Sequence, residues 1–154
     1  MQLQLNSLVD EVIKFVAPEA QVRGVNLLVD LARDLPPLEV DALQIEQVIL
    51  NLLRNALEAI YESPGERPLL AIRTGAVDEG IELAVRDSGA GLHPAIAAEI
   101  FEPFVTSKQD GLGMGLSICR SIVDAHGGRL WHTRNPDRGM TFRFVLPLSV
   151  PPQE

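Results

Sequence analysis

Gln44-Ile45-Glu46-Gln47-Val48-Ile49-Leu50-Asn51-Leu52-Leu53-Arg54-Asn55-Ala56-Leu57-Glu58 carries two different surfaces on one helical period. Ile45, Val48, Ile49, Leu52, Leu53, Ala56 and Ile60 cover one broad side at about 100° per residue. Asp41 stands in the capping position, so the spacing predicts a helix over residues 42–62. The opposite side is a row of Gln44, Gln47, Asn51, Asn55 and Glu58, all within about 40° of Asn51 on the helical wheel. Plain solubility is better served by Lys and Glu, which are also good helix formers. Amide oxygens, by contrast, are ligands for hard cations such as Mg²⁺. The row therefore reads either as a solvated face or as one wall of a metal site.

Upstream, Leu8, Val12, Phe15 and Val16 predict a helix over 6–18, capped by Asn6 or Ser7. Asn26–Ala32 reads as a largely apolar strand, broken by Asp34-Leu35-Pro36-Pro37. Downstream, Ser63-Pro64-Gly65 ends the long helix. Leu69–Thr74 and Ile81–Arg86 form a hairpin around Asp78-Glu79-Gly80. His93–Phe101 is a short amphipathic helix. A further helix ends at His126 before Gly127-Gly128, the expected C-cap. Arg129–Thr133 and Thr141–Leu146 are strands around the turn Asn135-Pro136-Asp137, and residues 151–154 read as a disordered tail. This order predicts one domain over residues 1–150, an α/β two-layer sandwich with a mixed sheet covered on one face by three main helices.

Two glycine-bearing segments suggest chemistry. Asp87-Ser88-Gly89-Ala90-Gly91 follows directly on the second hairpin strand. It is either an Asx turn or a carboxylate placed to accept a hydrogen bond from an exocyclic amine, with glycines that let a flat base lie on the main chain. Lys108-Gln109-Asp110-Gly111-Leu112-Gly113-Met114-Gly115-Leu116-Ser117 repeats glycine at every second position and runs into an apolar helical pattern. It is either a turn or a phosphate cradle, since a helix N-terminus offers unpaired N–H groups and partial positive charge. Between them, Phe101-Glu102-Pro103-Phe104 anchors a lid or simply packs in the core.

The formal net charge of −8 argues against duplex DNA or an anionic membrane as the main partner. It also means that a bound polyanion needs local cations: Lys108, Arg54 and Arg120 are nearest in sequence, and Mg²⁺ is the expected metal. No apolar run is long enough to span a bilayer, and no basic-then-apolar start reads as a signal peptide. The single cysteine, Cys119, falls on an apolar helix face and reads as a small core residue. A cytoplasmic location fits these features.

In sum, the chain resembles the catalytic, ATP-binding domain of bacterial sensor histidine kinases, of the Bergerat fold shared with gyrase, the heat-shock ninety chaperones and the MutL proteins. The resemblance runs over about residues 6–148. Gln47–Ala56 looks like the N box, Asp87–Gly91 the first glycine box, Phe101–Phe104 the F box, Asp110–Leu116 the second glycine box, and Gly139–Phe142 the last motif. The lid and following helix are similar to those of nitrogen-regulation and oxygen-sensing kinases.

The resemblance implies roles. Asn55 would coordinate Mg²⁺ bridging the ATP phosphates, with Asn51 beside it at the metal or its water shell. Asp87 would bind the adenine amine, helped by Thr141 through a water, with Gly89 and Gly91 shaping the pocket. Lys108 and the N–H groups of Gly111, Gly113 and Gly115 would hold the phosphates, and Leu112, Met114 and Leu116 belong to the same nucleotide-binding segment. Arg54 faces the phosphates or pairs with Glu58. In the superfamily's autonomous ATPases a water-activating glutamate stands where this chain has Asn51, and an amide cannot take up a proton at neutral pH. The catalytic set is then Asn51, Asn55 and Lys108, holding ATP for an external nucleophile. His93, His126 and His132 lack the family's phosphoacceptor context and read as structural. The expected partner is therefore a dimerisation and phosphoacceptor domain outside this chain, in a homodimeric parent that serves a response regulator. A conformational ATPase, a serine-kinase regulator and a non-enzymatic module with a degenerate pocket are the alternatives.

Overall fold

The computed structural model describes residues 2–62, 68–89, 113–136 and 138–148. The helix His93–Phe101, the Phe101–Phe104 segment, the tail 151–154 and the site residues Gly91, Lys108, Gly111 and Leu112 lie outside them, as does His93. The described elements are β1 (Gln2–Leu3), α1 (Leu5–Val22), β2 (Asn26–Leu31), β3 (Leu38–Glu39), α2 (Ala42–Glu62), β4 (Leu69–Val77) and β5 (Gly80–Asp87), then α3 (Gly113–Ala125), β6 (Arg129–Arg134) and β7 (Met140–Leu146).

Five strands form one mixed sheet in the order β2-β4-β5-β7-β6. The β2–β4 pair is parallel and the other pairs are antiparallel. Alternation along each strand assigns its faces. Leu70 and Ile72 of β4, Ile81, Leu83 and Val85 of β5, and Phe142, Phe144 and Leu146 of β7 are all buried in the core. The long helix α2 supplies Ile45, Val48, Ile49, Leu52, Leu53, Ala56, Leu57 and Ile60 to the same core. It packs against both α1 and α3. The sheet's other face carries ion pairs between Arg73 and Asp30 (3.5 Å) and between Arg143 and Glu82 (3.8 Å). The two-layer sandwich with three main helices is thus the observed architecture.

Three local expectations change. First, α1 begins at Leu5 after Gln4, which makes no side-chain cap bond, and it runs through Pro18 to Val22. Asn6 does not cap it. Its Nδ2 donates to the Ala32 carbonyl at 2.7 Å and its Oδ1 accepts the Thr74 hydroxyl at 2.8 Å, while the Ala32 N–H donates to Thr74 Oγ1 at 3.0 Å. This three-way clip ties α1 to the edge of the sheet. Burial of Ala20 holds the last turn of α1 in place beyond the proline.

Second, Phe15 is 75% exposed. It sits roughly 90° from the centre of the set Leu5, Leu8, Val9, Val12, Val16 and Ala20, so the buried stripe passes it by.

Third, β1 and β3, two residues each, pair antiparallel; runs that short carry no periodicity to read. By contrast, Asp41 caps α2 as expected, its Oδ1 accepting the Gln44 N–H at 3.1 Å.

Candidate functional site

One edge of α2 meets a different element at each of two points. At Asn51 it meets the first turn of α3. A Cβ added to Gly115 would lie 3.9 Å from Asn51 Nδ2. Asn51, Arg54, Asn55, Gly115 and Leu116 line a small cavity of about 90 Å³. Two turns further along, at Ala59, the helix meets the loop after β5: a Cβ on Gly89 would stand 2.8 Å from the Ala59 carbonyl oxygen. Only a glycine allows the chain after Asp87 to lie that close to the helix. Eight residues of helix separate the two points, about 12 Å of rise.

The amide row divides along this edge. Gln44 and Gln47 are exposed and belong to the solvated face, whereas Asn51, Asn55 and Glu58 are half-buried. The Asn51 side chain is also close enough to the Cys119 thiol to act on its ionisation. Cys119 itself is fully buried, 3.9 Å from the Val48 carbonyl. Burial pushes its thiol up to about 11, against a smaller opposite effect of the Asn51 amide. It is a core residue, as its helix face predicted, and not a nucleophile.

Among the described residues α3 runs from Gly113, so Gly113 and Gly115 are helical and not part of a loop before the helix. The N–H groups of a first turn have no partner four residues back. Gly115, in this stretch of α3, lies beside Asn51, and a helix N-terminus favours an anion. Gly127 and Gly128 close the other end, with the Gly128 N–H donating to the Val123 carbonyl at 3.0 Å.

Asp87 ends β5, 3% exposed. Its Oδ1 accepts the Gly89 N–H at 2.8 Å and the Met140 N–H at 3.4 Å. Two backbone donors on one oxygen favour the ionised carboxylate. The Thr141 hydroxyl donates to Asn135 Oδ1. Thr141 therefore approaches Asp87 through Asn135, and the residue whose backbone touches the carboxylate is Met140. Asn135 is legible in the sequence only as part of a turn and Gly139 only as the start of the last motif; strand pairing brings both to Asp87. Among the described residues no three His, Cys, Asp or Glu side chains are grouped to hold a metal ion. A divalent cation here would rely on amide oxygens and on the oxygens of its own ligand, which suits Mg²⁺.

Two histidines have structural partners. His126 receives the Asp41 N–H on Nε2 at 3.1 Å and lies 2.8 Å from the Ile122 carbonyl through Nδ1. Its ring thus joins the end of α3 to the cap of α2. His132 stacks at a tilt on Phe142, with centroids 5.5 Å apart.

Residues 40–150 match the family described as Histidine kinase-, DNA gyrase B-, and HSP90-like ATPase. The chain belongs to this family. Its fold is accordingly a nucleotide-binding one. The sensor protein FixL of Bradyrhizobium diazoefficiens is 41% identical over 94% of this chain and 28% of its own length. The catalytic domain of the histidine kinase ThkA superposes with a TM-score of 0.83 at 32% identity, covering 96% of this chain and 94% of that one. ThkA has also been solved in complex with the response regulator protein TrrA. Full-length ShkA in complex with AMPPNP gives a TM-score of 0.83 at 26% identity, over 98% of this chain and 31% of ShkA. The chain spans about a quarter of the length of the curated relatives it matches, with 28%, 23% and 27% for three of them. No helix of the described residues is long and apolar enough to cross a membrane.

Proposed function

We propose that residues 1–150 form the catalytic domain of a sensor histidine kinase, which binds Mg·ATP and presents its γ-phosphate to a histidine on a separate dimerisation and phosphoacceptor domain. The observation that carries this reading is the edge of α2. It runs from Gly115 of α3, at Asn51, to Gly89, whose N–H is held by the Asp87 carboxylate, at Ala59. A nucleotide laid along it has its phosphates at the first end and its base at the second. The AMPPNP bound to ShkA supports a triphosphate as ligand.

Asp87 accepts a hydrogen bond from the adenine amine, and Gly89 and Gly91 let the ring lie flat on the loop. The N–H groups of Gly111, Gly113 and Gly115 take the phosphate oxygens, within the segment that includes Leu112, Met114 and Leu116. Lys108 neutralises charge there. Asn55, with Asn51, would hold Mg²⁺, whose contribution is charge neutralisation at the phosphates. Asn51, an amide, cannot deprotonate water, so the phosphate waits for the histidine. In transfer, a bond forms from the acceptor imidazole nitrogen to the γ-phosphorus and the bond from that phosphorus to the β–γ bridging oxygen breaks, releasing ADP. Positioning and electrostatics supply the rate. The parent protein then acts as a cytoplasmic homodimer and passes the phosphoryl group to a response regulator, as the ThkA–TrrA complex suggests.

The test is to mix the chain with radiolabelled Mg·ATP and the phosphoacceptor domain of its own parent or of a close relative. Acid-labile, base-stable label on the acceptor is expected. Steady ATP hydrolysis without acceptor would instead identify a conformational ATPase, and acid-stable label on a partner serine would identify a serine kinase.

A further inference from the structure

The turn between β6 and β7 is fastened to Asp87 more firmly than strand pairing alone requires. Asn135 is buried at 7% exposure, and both ends of its carboxamide are used. Nδ2 donates to the Asp87 carbonyl at 2.9 Å and to the Arg138 carbonyl at 2.9 Å. Oδ1 accepts the Thr141 hydroxyl. The Asn135 N–H closes the turn on the Gly139 carbonyl at 2.9 Å. Carbonyls only accept, so Nδ2 and not Oδ1 must face Asp87 and Arg138. The Thr141 hydroxyl, which can donate or accept, then donates to the Oδ1 left on the other side. Gly139, with φ +87°, packs against the Asp87 carbonyl, and this close approach brings the Met140 N–H to Asp87 Oδ1.

A turn of this kind needs no buried carboxamide, and burying one is costly unless its groups are paired. Among the described residues every hydrogen bond of this side chain goes to Asp87, to the turn, or to the residue after Met140. We infer that Asn135 is a positioning residue for base recognition. By clamping the β5 end to the β6–β7 turn, it holds the Met140 N–H on the Asp87 carboxylate and keeps that carboxylate aimed. Thr141 acts behind it by locking the carboxamide. The inference rests on the reading of Asp87 as the adenine contact.

The consequence is a selectivity effect. ATP offers Asp87 an amine, whereas inosine triphosphate offers an oxo group that the carboxylate repels; the ribose and phosphates are the same. Calorimetric titration of the whole chain with Mg²⁺ and either nucleotide separates the cases. The wild type should favour ATP, and Asp87→Asn should collapse the ratio. Asn135→Ala should weaken ATP about tenfold while inosine triphosphate stays within about twofold. Thr141→Val should move the ratio in the same direction by less, and it serves if Asn135→Ala does not fold. Equal weakening of both nucleotides would reduce Asn135 to a folding role. An unchanged ratio in Asn135→Ala or, failing that protein, Thr141→Val, alongside a collapsed ratio in Asp87→Asn, would also overturn the inference while leaving the base pocket standing. A ratio that survives Asp87→Asn would instead remove the base-pocket reading, and the inference with it.

Discussion

A side chain at position 139 would collide with Asp87: a Cβ there would lie 2.0 Å from the Asp87 carbonyl oxygen and 2.8 Å from its Oδ1. Gly139 also has a φ of +87°, where any other L-residue is strained. Gly139→Ala should therefore cost at least about 1–3 kcal/mol from backbone strain alone. In a domain of this size that lowers the melting temperature by several degrees. Thermal unfolding followed by circular dichroism checks it, and a melting temperature equal to wild type would show that the turn has freedom the structure does not contain.

Asn55 is proposed to contact the metal, not the nucleotide. Asn55→Ala should weaken ATP binding by tenfold or more when Mg²⁺ is present and leave it unaltered in chelator. Titrations under the two conditions decide this, because a loss of equal size in both would make Asn55 a direct phosphate ligand or a packing residue.

The clip of Asn6, Ala32 and Thr74 fastens α1 to the sheet through two hydrogen bonds of Asn6, 2.7 and 2.8 Å, braced by a third of 3.0 Å between Ala32 and Thr74. Asn6→Ala leaves the Ala32 carbonyl and the buried Thr74 hydroxyl short of a partner, at a cost of about 1–3 kcal/mol. The urea midpoint should fall with an unchanged m-value. Nucleotide affinity should hold, since none of the three clip residues lines the cavity at Asn51.

Cys119 gives a pH signature. Its thiol titrates near 9 when unfolded and is raised to about 11 in the native protein, chiefly by burial. The folded pKa is the higher one, so unfolding releases a proton between these values. The stabilisation is complete below about pH 9 and is lost as pH rises towards 11, by up to roughly 2–3 kcal/mol. Cys119→Ala should flatten that part of the stability curve. At pH 8 the native thiol should resist alkylation that the denatured protein undergoes at once; rapid labelling of the native chain would contradict its burial.

The helix α2 was legible because its 21 residues carry enough periods to separate an apolar side from an amide side. Asp41 and Gly127-Gly128 were legible because capping is local chemistry. The limits of β4, β5 and α1 were less so. β4 runs on to Val77 because β5 offers it partners back to Gly80, and α1 passes Pro18 because Ala20 finds a place in the core. Phe15 matched the helical spacing yet faces solvent, since periodicity sets a stripe's direction but not its width.

Sequence alone determined the family, the two-layer order of elements, and the residue types of the site: amides on a helix, a carboxylate at a strand end, glycines before a helix. These follow from local patterns and from the spacing of neighbours along the chain. Tertiary structure divided the row, by placing Asn51 and Asn55 in a cavity against α3 while Gln44 and Gln47 stay in water. It also decided that Gly113 and Gly115 are helical, and that Asn135 and Gly139 serve Asp87. Those contacts join residues some fifty positions apart, from Asp87 to Asn135 across 48 residues. Only the pairing of β5 with β7, and of β7 with β6, brings them within hydrogen-bond reach.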